Sequence, residues 1–509
     1  LIKKIGILLI CFVAFKGAAQ KNYANVINQL SAGVNAKGFL FDSLNTAGLR
    51  TANLILSNGA GIWLSANDSL GELRVSGHDV LSHQHDFWPG PLQLKTAIPS
   101  DSNAWNHVYP ISAAQINFHR AHYRDDQYQA ATEILNWPGS LGAPYAQILS
   151  PFVDAKVNDQ IYSPTSGDFP YINCSQMIYC IANDNAGLHN LSKSKALGVE
   201  VHTSLYTFNA VDSFLKNSVL VRYVVHNRSS RNYKNFRLSA ISSFQIGDLE
   251  NEFLGTDIPN QALFAINDTS EATFKNKLVS LGCMAINQKI SSSMYFNDDN
   301  NLLNGRPSTP NHFYNLMQGK WKNGKSLGFG GTGIDGNGKA KFVYPYSSDD
   351  SNGNIMWNEY GNIPGKRIGL LNSDSVELKA GTAKVYDFVY FLVEENFNNI
   401  KQIGGFCLNI KKGLSERKVL KVTPEMSTNQ TKINLFPNPL VAGGKLFIDL
   451  KTDLPMFARI IDINGKEISN YNLQGSENYI ILPDNLVVGL YFIEFKTLNT
   501  IERQILNIN

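Results

Sequence analysis

The sequence predicts a mainly β protein, with a large β-sandwich body carrying minor helices and a second, small β-sandwich at the C-terminus. Three observations carry this. Short β-branched or aromatic runs alternate with clusters of Asn, Gly, Asp, Ser and Pro, the pattern of antiparallel strands joined by turns. The runs recur every eight to twelve residues or so without long helical stretches between them, which favours sandwiches over a doubly wound sheet. Charged residues reach only 17% against 43% hydrophobic and 11% aromatic, and low charge with many Asn, Ser, Gly and Tyr fits an extracellular β protein. At 509 residues the chain exceeds one ordinary core.

Residues 1–19 read as a secretory signal peptide: Lys3 and Lys4, an apolar run over 5–15, then Gly17 and Ala19 at the small-residue spacing of a cleavage site. An apolar run of about 11 residues is too short for a bilayer core of ~30 Å, and no later segment reads as a membrane span. A net charge of +3 with no basic block gives nucleic acid and lipid surfaces no electrostatic advantage as partners. Beyond Cys11, four cysteines remain: Cys174, Cys180, Cys283 and Cys407. Cys174 and Cys180 fall on one face of a strand about 20 Å apart, too far for a disulfide unless the strand bends, so free thiols and bridges both stay open.

The body is expected over 20–412, with a possible internal break near 150–200, and a polar linker over 413–432. "SVLVRYVVHN" and "AKVYDFVYFLV" are its clearest strands, and "LYFIEF" is the clearest in the C-terminal block. Two helical pieces interrupt them. One begins at the capping box Ser112-x-x-Gln115; the other, "VEENFNNIKQIGGFCL", sets Phe397, Ile400 and Ile403 on one face.

Three stretches of the body invite chemistry. In the loop from Asp154 to Pro170, Asp154, Asn158, Asp159 and Asp168 supply oxygens for Ca²⁺ as a structural clamp. Lys156 opposes this by placing an ammonium where an oxygen is wanted, and turn chemistry explains the loop equally well. Six of the ten histidines lie between His78 and His122, including His119-x-x-His122 ahead of Asp125 and Asp126. Their spacing fits no H-E-x-x-H helix, so a solvated polar face beside aromatic packing is the expectation. The stretch "GKSLGFGGTGIDGNGKA" (324–340) matches a nucleophile elbow, a dinucleotide fingerprint and, nearly, a phosphate loop. All three need a helix directly after the glycines, and glycine density forbids one there, so a flexible loop is expected. Tyr314, Trp321 and Phe329 flank it, and exposed aromatics beside hydroxyls and amides suit stacking on sugar rings.

The last block, 433–509, reads as about seven short strands of an Ig-like sandwich. Pro437-Asn438-Pro439 bars ladder bonds where the block begins, Asp462-Ile-Asn464-Gly465 makes a tight hairpin turn, and Gly489-Leu-Tyr491 marks a bend into a final strand. These motifs, in this order and position, resemble the type A sorting domain of the type IX secretion system of Bacteroidota. The resemblance implies the outer-membrane translocon and a sortase-like peptidase as partners during export, with the product on the outer-membrane surface or released. Members carry a basic pair near the end, where this chain has Arg503 almost alone.

From Asn28 to Leu392 the body resembles a large extracellular module recurrent in the same secreted proteins. The matching pieces include "DFWPGPL", "NWPGS", "IAND" and "VVHNRSS". Ser243 and Gln245 stand where the resemblance implies Asp, leaving Asp248, Glu252 and Asp257 as oxygens there. The function expected is a non-enzymatic, exported surface or extracellular protein that binds glycan or another polymer through aromatic and Asn-rich loops. A secreted hydrolase and an adhesive or structural surface component are the alternatives.

Overall fold

The computed structural model describes residues 23–26, 30–42, 48–51, 54–57, 59–82, 84–155, 160–209, 213–247, 251–267, 274, 279–346, 357–359, 361–393, 400–417, 434–449, 456–462, 466–473, 479–496 and 501–509. The expected signal peptide lies outside these residues, as does the expected linker from 418 to 432.

Two antiparallel sheets face each other across the body's core. The larger runs in the order Pro345–Tyr346, Glu252–Asp257, Ala262–Asn267, Ser280–Ala285, Ala383–Val393, Ser218–Asn227, Val199–Thr207, Gln176–Asn183 and Trp88–Pro89; Tyr109–Ser112 also pairs with Gln176–Asn183. Its one parallel contact is the edge strand Pro345–Tyr346. The smaller sheet runs Ile290–Asn297, Arg367–Ser373, Tyr233–Ser243, Gly59–Asn67 and Leu73–Gly77, with Val376–Leu378 also on Tyr233–Ser243. Leu238, Ala240 and Ile241 of the smaller sheet share a core with Val221, Tyr223 and Val225 of the larger. The Ser242 hydroxyl, at 3.3 Å, donates to the Tyr390 hydroxyl across the gap.

Strand Val199–Thr207 shows why the larger sheet is two-faced. Val199, Val201, Thr203 and Leu205 point one way, and Glu200, His202, Ser204 and Tyr206 the other, because side chains alternate along a strand. The register Ser204↔Arg222 and Arg222↔Asp387 extends the polar row over the neighbouring strands. A segment from Trp105 to Cys174 covers this outer face and closes a second core around Ile111, Ile116, Ile134, Trp137 and Met177.

The helix expected at Ser112 is Ala113–His122, with the reciprocal capping box formed. The second is Ile400–Glu416, whose Ile403, Cys407, Ile410 and Leu414 are buried at helical spacing. Leu414 thus belongs to the body, which runs past the boundary expected at 412. A third helix, Pro310–Met317, starts with Pro at its first turn and Thr309 as its cap. All four cysteines are free. Burial pushes the Cys180 and Cys283 thiols up to about 12.

The C-terminal block has a three-stranded sheet (Asn434–Phe436, Lys445–Asp449, Tyr479–Ile481) and a four-stranded one (Glu467–Leu473, Met456–Asp462, Gly489–Lys496, Ile501–Ile508). Leu446, Ile448 and Ile480 meet Ala458, Ile460, Ile493 and Leu506 in a core of its own, the sandwich that the sequence predicts.

Candidate functional site

A pocket of about 360 Å³ opens where the 105–174 segment crosses the outer face of the larger sheet. Pro151, Phe152, Tyr171 and Asn173 form its wall; Tyr206, Arg222, Val224 and His226 contribute from the strands. Volume and lining match small-molecule sites, which run from roughly 300 to 1,000 Å³ with mostly apolar walls and a few placed polar groups. None of the pocket's lining residues is a carboxylate.

Behind the pocket runs a buried polar chain. The Tyr179 hydroxyl lies 2.6 Å from His202 Nδ1 and donates to the Leu149 carbonyl. His202 Nε2 is 2.7 Å from Glu200 Oε1, which also accepts from Arg228 at 2.6 Å, while Glu200 Oε2 accepts the Leu92 amide. Burial alone would raise the Glu200 carboxyl, but the bonds and charges of His202 and Arg228 outweigh it and hold it at about 2. Burial, with the Glu200 charge nearby, pushes Tyr179 well above the usual phenol range, so it stays a neutral donor. His226 packs against His202, their ring centroids 4.4 Å apart and the planes tilted by 46°. Burial and then the charges of His202 and Arg228 hold it well below the usual imidazole range, so it presents a neutral ring. Arg222 is pinned by two bonds to Asp387, at 2.7 and 2.9 Å. The floor is rigid and its groups are already engaged, which suits holding a ligand.

The residues singled out from the sequence lie elsewhere. Trp321 is fully buried, its indole N–H donating to the Gly333 carbonyl and its ring edge-on to Tyr295. This corrects the expectation of an exposed stacking platform: an indole that large, with a carbonyl within reach of its N–H, is more stable in the core. Tyr314 is half-buried with its hydroxyl toward Asn67, and only Phe329, 39% exposed against Trp357, faces solvent. The stretch 324–340 folds as turns with isolated bridges and starts no helix. Gly333 sits at φ +81°, where a Cβ would lie 2.7 Å from Leu327.

The Asp168 carboxylate accepts the Ala155 and Ser163 amides at 2.8 and 2.7 Å, and Asp154 accepts the Gln160 amide. They staple the loop as its turn chemistry suggests; Asn158 and Asp159 lie outside the described residues. Glu252 and Asp257 are buried, Glu252 accepting the Ile246 amide and Asp257 the Asn260 side chain, and Asp248 is outside the described residues. Among the described residues, no group of three or more His, Cys, Asp or Glu is placed to hold a metal.

The histidines do not form the solvated face expected of them. His78 and His119 are buried, and each has both ring nitrogens on fixed partners: His78 accepts the Ile62 amide and reaches the Lys37 carbonyl, while His119 meets Tyr128 and the Asp168 carbonyl. His122 pairs at the surface with Asp125, and His83 lies outside the described residues. The pieces on which the sequence resemblance of the body rests are loop locks as well. Asp184 accepts the Leu197, Gly198 and Val199 amides and the Ser76 hydroxyl; Asn227 bonds Ser229, Arg231 and Leu378.

In the C-terminal domain, Asn438 between Pro437 and Pro439 donates to the Ile505 carbonyl and accepts the Asn507 amide, fastening this segment to the last strand. The Tyr491 hydroxyl bonds the backbone of Val487 ahead of Gly489. Asp462 caps its turn by accepting the Lys466 amide; Asn464 and Gly465 lie outside the described residues. Arg503 and Arg459 converge on the buried Glu494.

Residues 434–508 match the family described as the secretion system C-terminal sorting domain. No curated protein sequence matches the chain. Among solved structures the chain is similar to a polysaccharide lyase at 9% identity and a TM-score of 0.18, over 61% of this chain and 34% of that one. That score is too low to carry fold detail or activity across. Among the described residues, no helix is long and apolar enough to cross a membrane.

Proposed function

We propose that this protein, a type IX secretion cargo exported to the cell surface or the extracellular space, is a non-enzymatic glycan-binding protein whose binding site is the pocket on the outer face of the larger sheet. The observation that supports this reading most is the lining: Phe152, Tyr171 and Tyr206 beside Arg222 and a neutral His226, with no carboxylate among them. Aromatic faces stack on the C–H faces of a sugar ring, and a guanidinium and an imidazole hydrogen-bond its hydroxyls. Glycoside hydrolysis ordinarily needs two carboxylates flanking the bond, and Glu200 and Asp387 are both spent on internal partners. Among the groups sequence reasoning favoured, Phe329 remains an exposed aromatic that can add a contact elsewhere on the same polymer.

The test is glycan-array binding by the whole chain, beside the Tyr206→Ala and Tyr171→Ala variants. A saturable hit weakened at least tenfold by either change supports the reading. Binding indifferent to both, or release of new reducing ends from the bound glycan, overturns it.

A further inference from the structure

A second depression, of about 490 Å³, lies among Arg74, Lys95, Lys195 and Arg231, and none of its lining residues is acidic. The four cations arrive from separate parts of the chain: a strand of the smaller sheet, the turn after "DFWPGPL", the segment before Val199, and the turn between strands Ser218–Asn227 and Tyr233–Ser243. Two already have partners. Arg74 pairs with Asp68 and Glu72, and Lys195 with Glu72. Among the described residues, Lys95 and Arg231, both exposed, have no ion pair. The floor between them is fixed. His189 has both ring nitrogens on carbonyl oxygens, of Val75 and Asp184, and the Asn185 amide donates to the Ala97 carbonyl. The hydroxyls of Thr96 and Ser230 lie at the rim.

Four cations gathered at a concave site against the two carboxylates of Asp68 and Glu72 leave an excess positive charge, and a low-dielectric floor focuses its potential toward an incoming anion. Arg and Lys together match carboxylate and sulfate oxygens, the arginine by a fork and the lysine as a point charge. We infer that this depression is an anion site, independent of the aromatic pocket, that takes the carboxylate or sulfate groups of an acidic polysaccharide.

Calorimetric titration of the whole chain with oligogalacturonate and with dextran sulfate, each beside neutral dextran, tests this. The expected result is binding of at least one polyanion, no binding of dextran at this site, and at least a tenfold loss in a Lys95→Ser/Arg231→Ser variant. A Lys339→Ser variant, which removes an exposed charge of the glycine-rich stretch, keeps the affinity. Both serine changes fall on exposed side chains, so folding is preserved. An equal loss in Lys339→Ser assigns the binding to diffuse charge and overturns the site. No polyanion binding does the same, and binding of inorganic phosphate alone overturns the polysaccharide assignment.

Discussion

Arg222 and Asp387 join as a two-bond ion pair across adjacent strands, Nε to Oδ1 at 2.7 Å and Nη2 to Oδ2 at 2.9 Å, with both side chains almost wholly out of water. Burial pushes the Asp387 carboxyl up, and the Arg222 guanidinium opposes this. Breaking one half of such a pair strands a charge. Asp387→Asn is therefore expected to lower unfolding free energy by about 3–5 kcal/mol in urea titration. The double change Arg222→Met/Asp387→Leu should recover most of that loss, yet bind glycan at least tenfold more weakly, since the guanidinium faces the pocket.

Acid should loosen the body well above the range where carboxylates protonate. Burial, chiefly, with the charge of His85 nearby, lowers His78 to about 3, and burial with Lys37 lowers His85 to about 4. Both are depressed from an unfolded value near 6.5, so their stabilisation is complete above that pH and is lost as pH falls toward the folded values. His78 alone contributes a loss of about 3 kcal/mol between pH 7 and pH 4. Melting temperature followed over that range checks it: His78→Asn should start lower and fall with a shallower slope, the remaining fall coming from His85 and His226.

Trp321 separates packing from recognition. Trp321→Ala is expected to cost about 3–5 kcal/mol, as large truncations in cores do, while Phe329→Ala costs less than about 1 kcal/mol. Any folded Trp321 variant should keep the glycan affinity of the pocket, which calorimetry at low temperature measures.

Removal of residues 434–509 should leave the body folded, because the two cores share no residue. The body should then stay in the periplasm in cell fractionation. Asn438→Ala, which breaks both bonds to the last strand, should reduce export in the same assay while leaving expression unchanged.

Much of the fold was legible because it is local. Ser218–Asn227 and Ala383–Val393 are the stretches read as strands, and the Ser112 cap forms as its spacing predicts. The helix Pro310–Met317 escaped notice although Thr309 and Pro310 announce it, because the glycines that follow drew the segment into a loop reading. The pocket was hidden for a different reason. Its wall and floor are brought together only by the crossing of 105–174 over the sheet, which no local spacing encodes. A signal existed all the same: Glu200, His202, Ser204 and Tyr206 at every second position, beside Arg222 and His226 two strand-steps apart, put polar groups on a strand whose other face is core. Trp321 misled because its neighbours are glycines and lysines, while the ring that buries it, Tyr295, lies far off in the chain.

The two halves of the pocket differ in what they leave open to change. Its floor is written on strands deep within the larger sheet, where a side chain on one face shares its backbone with a core residue on the other, as His202 does with Val201 and Thr203. Its wall is mostly loop, at 148–151 and 171–173, with Phe152 on a two-residue strand. Descendants of this gene can therefore explore new ligands by rewriting the wall alone, with the strands as an inherited constant beneath it.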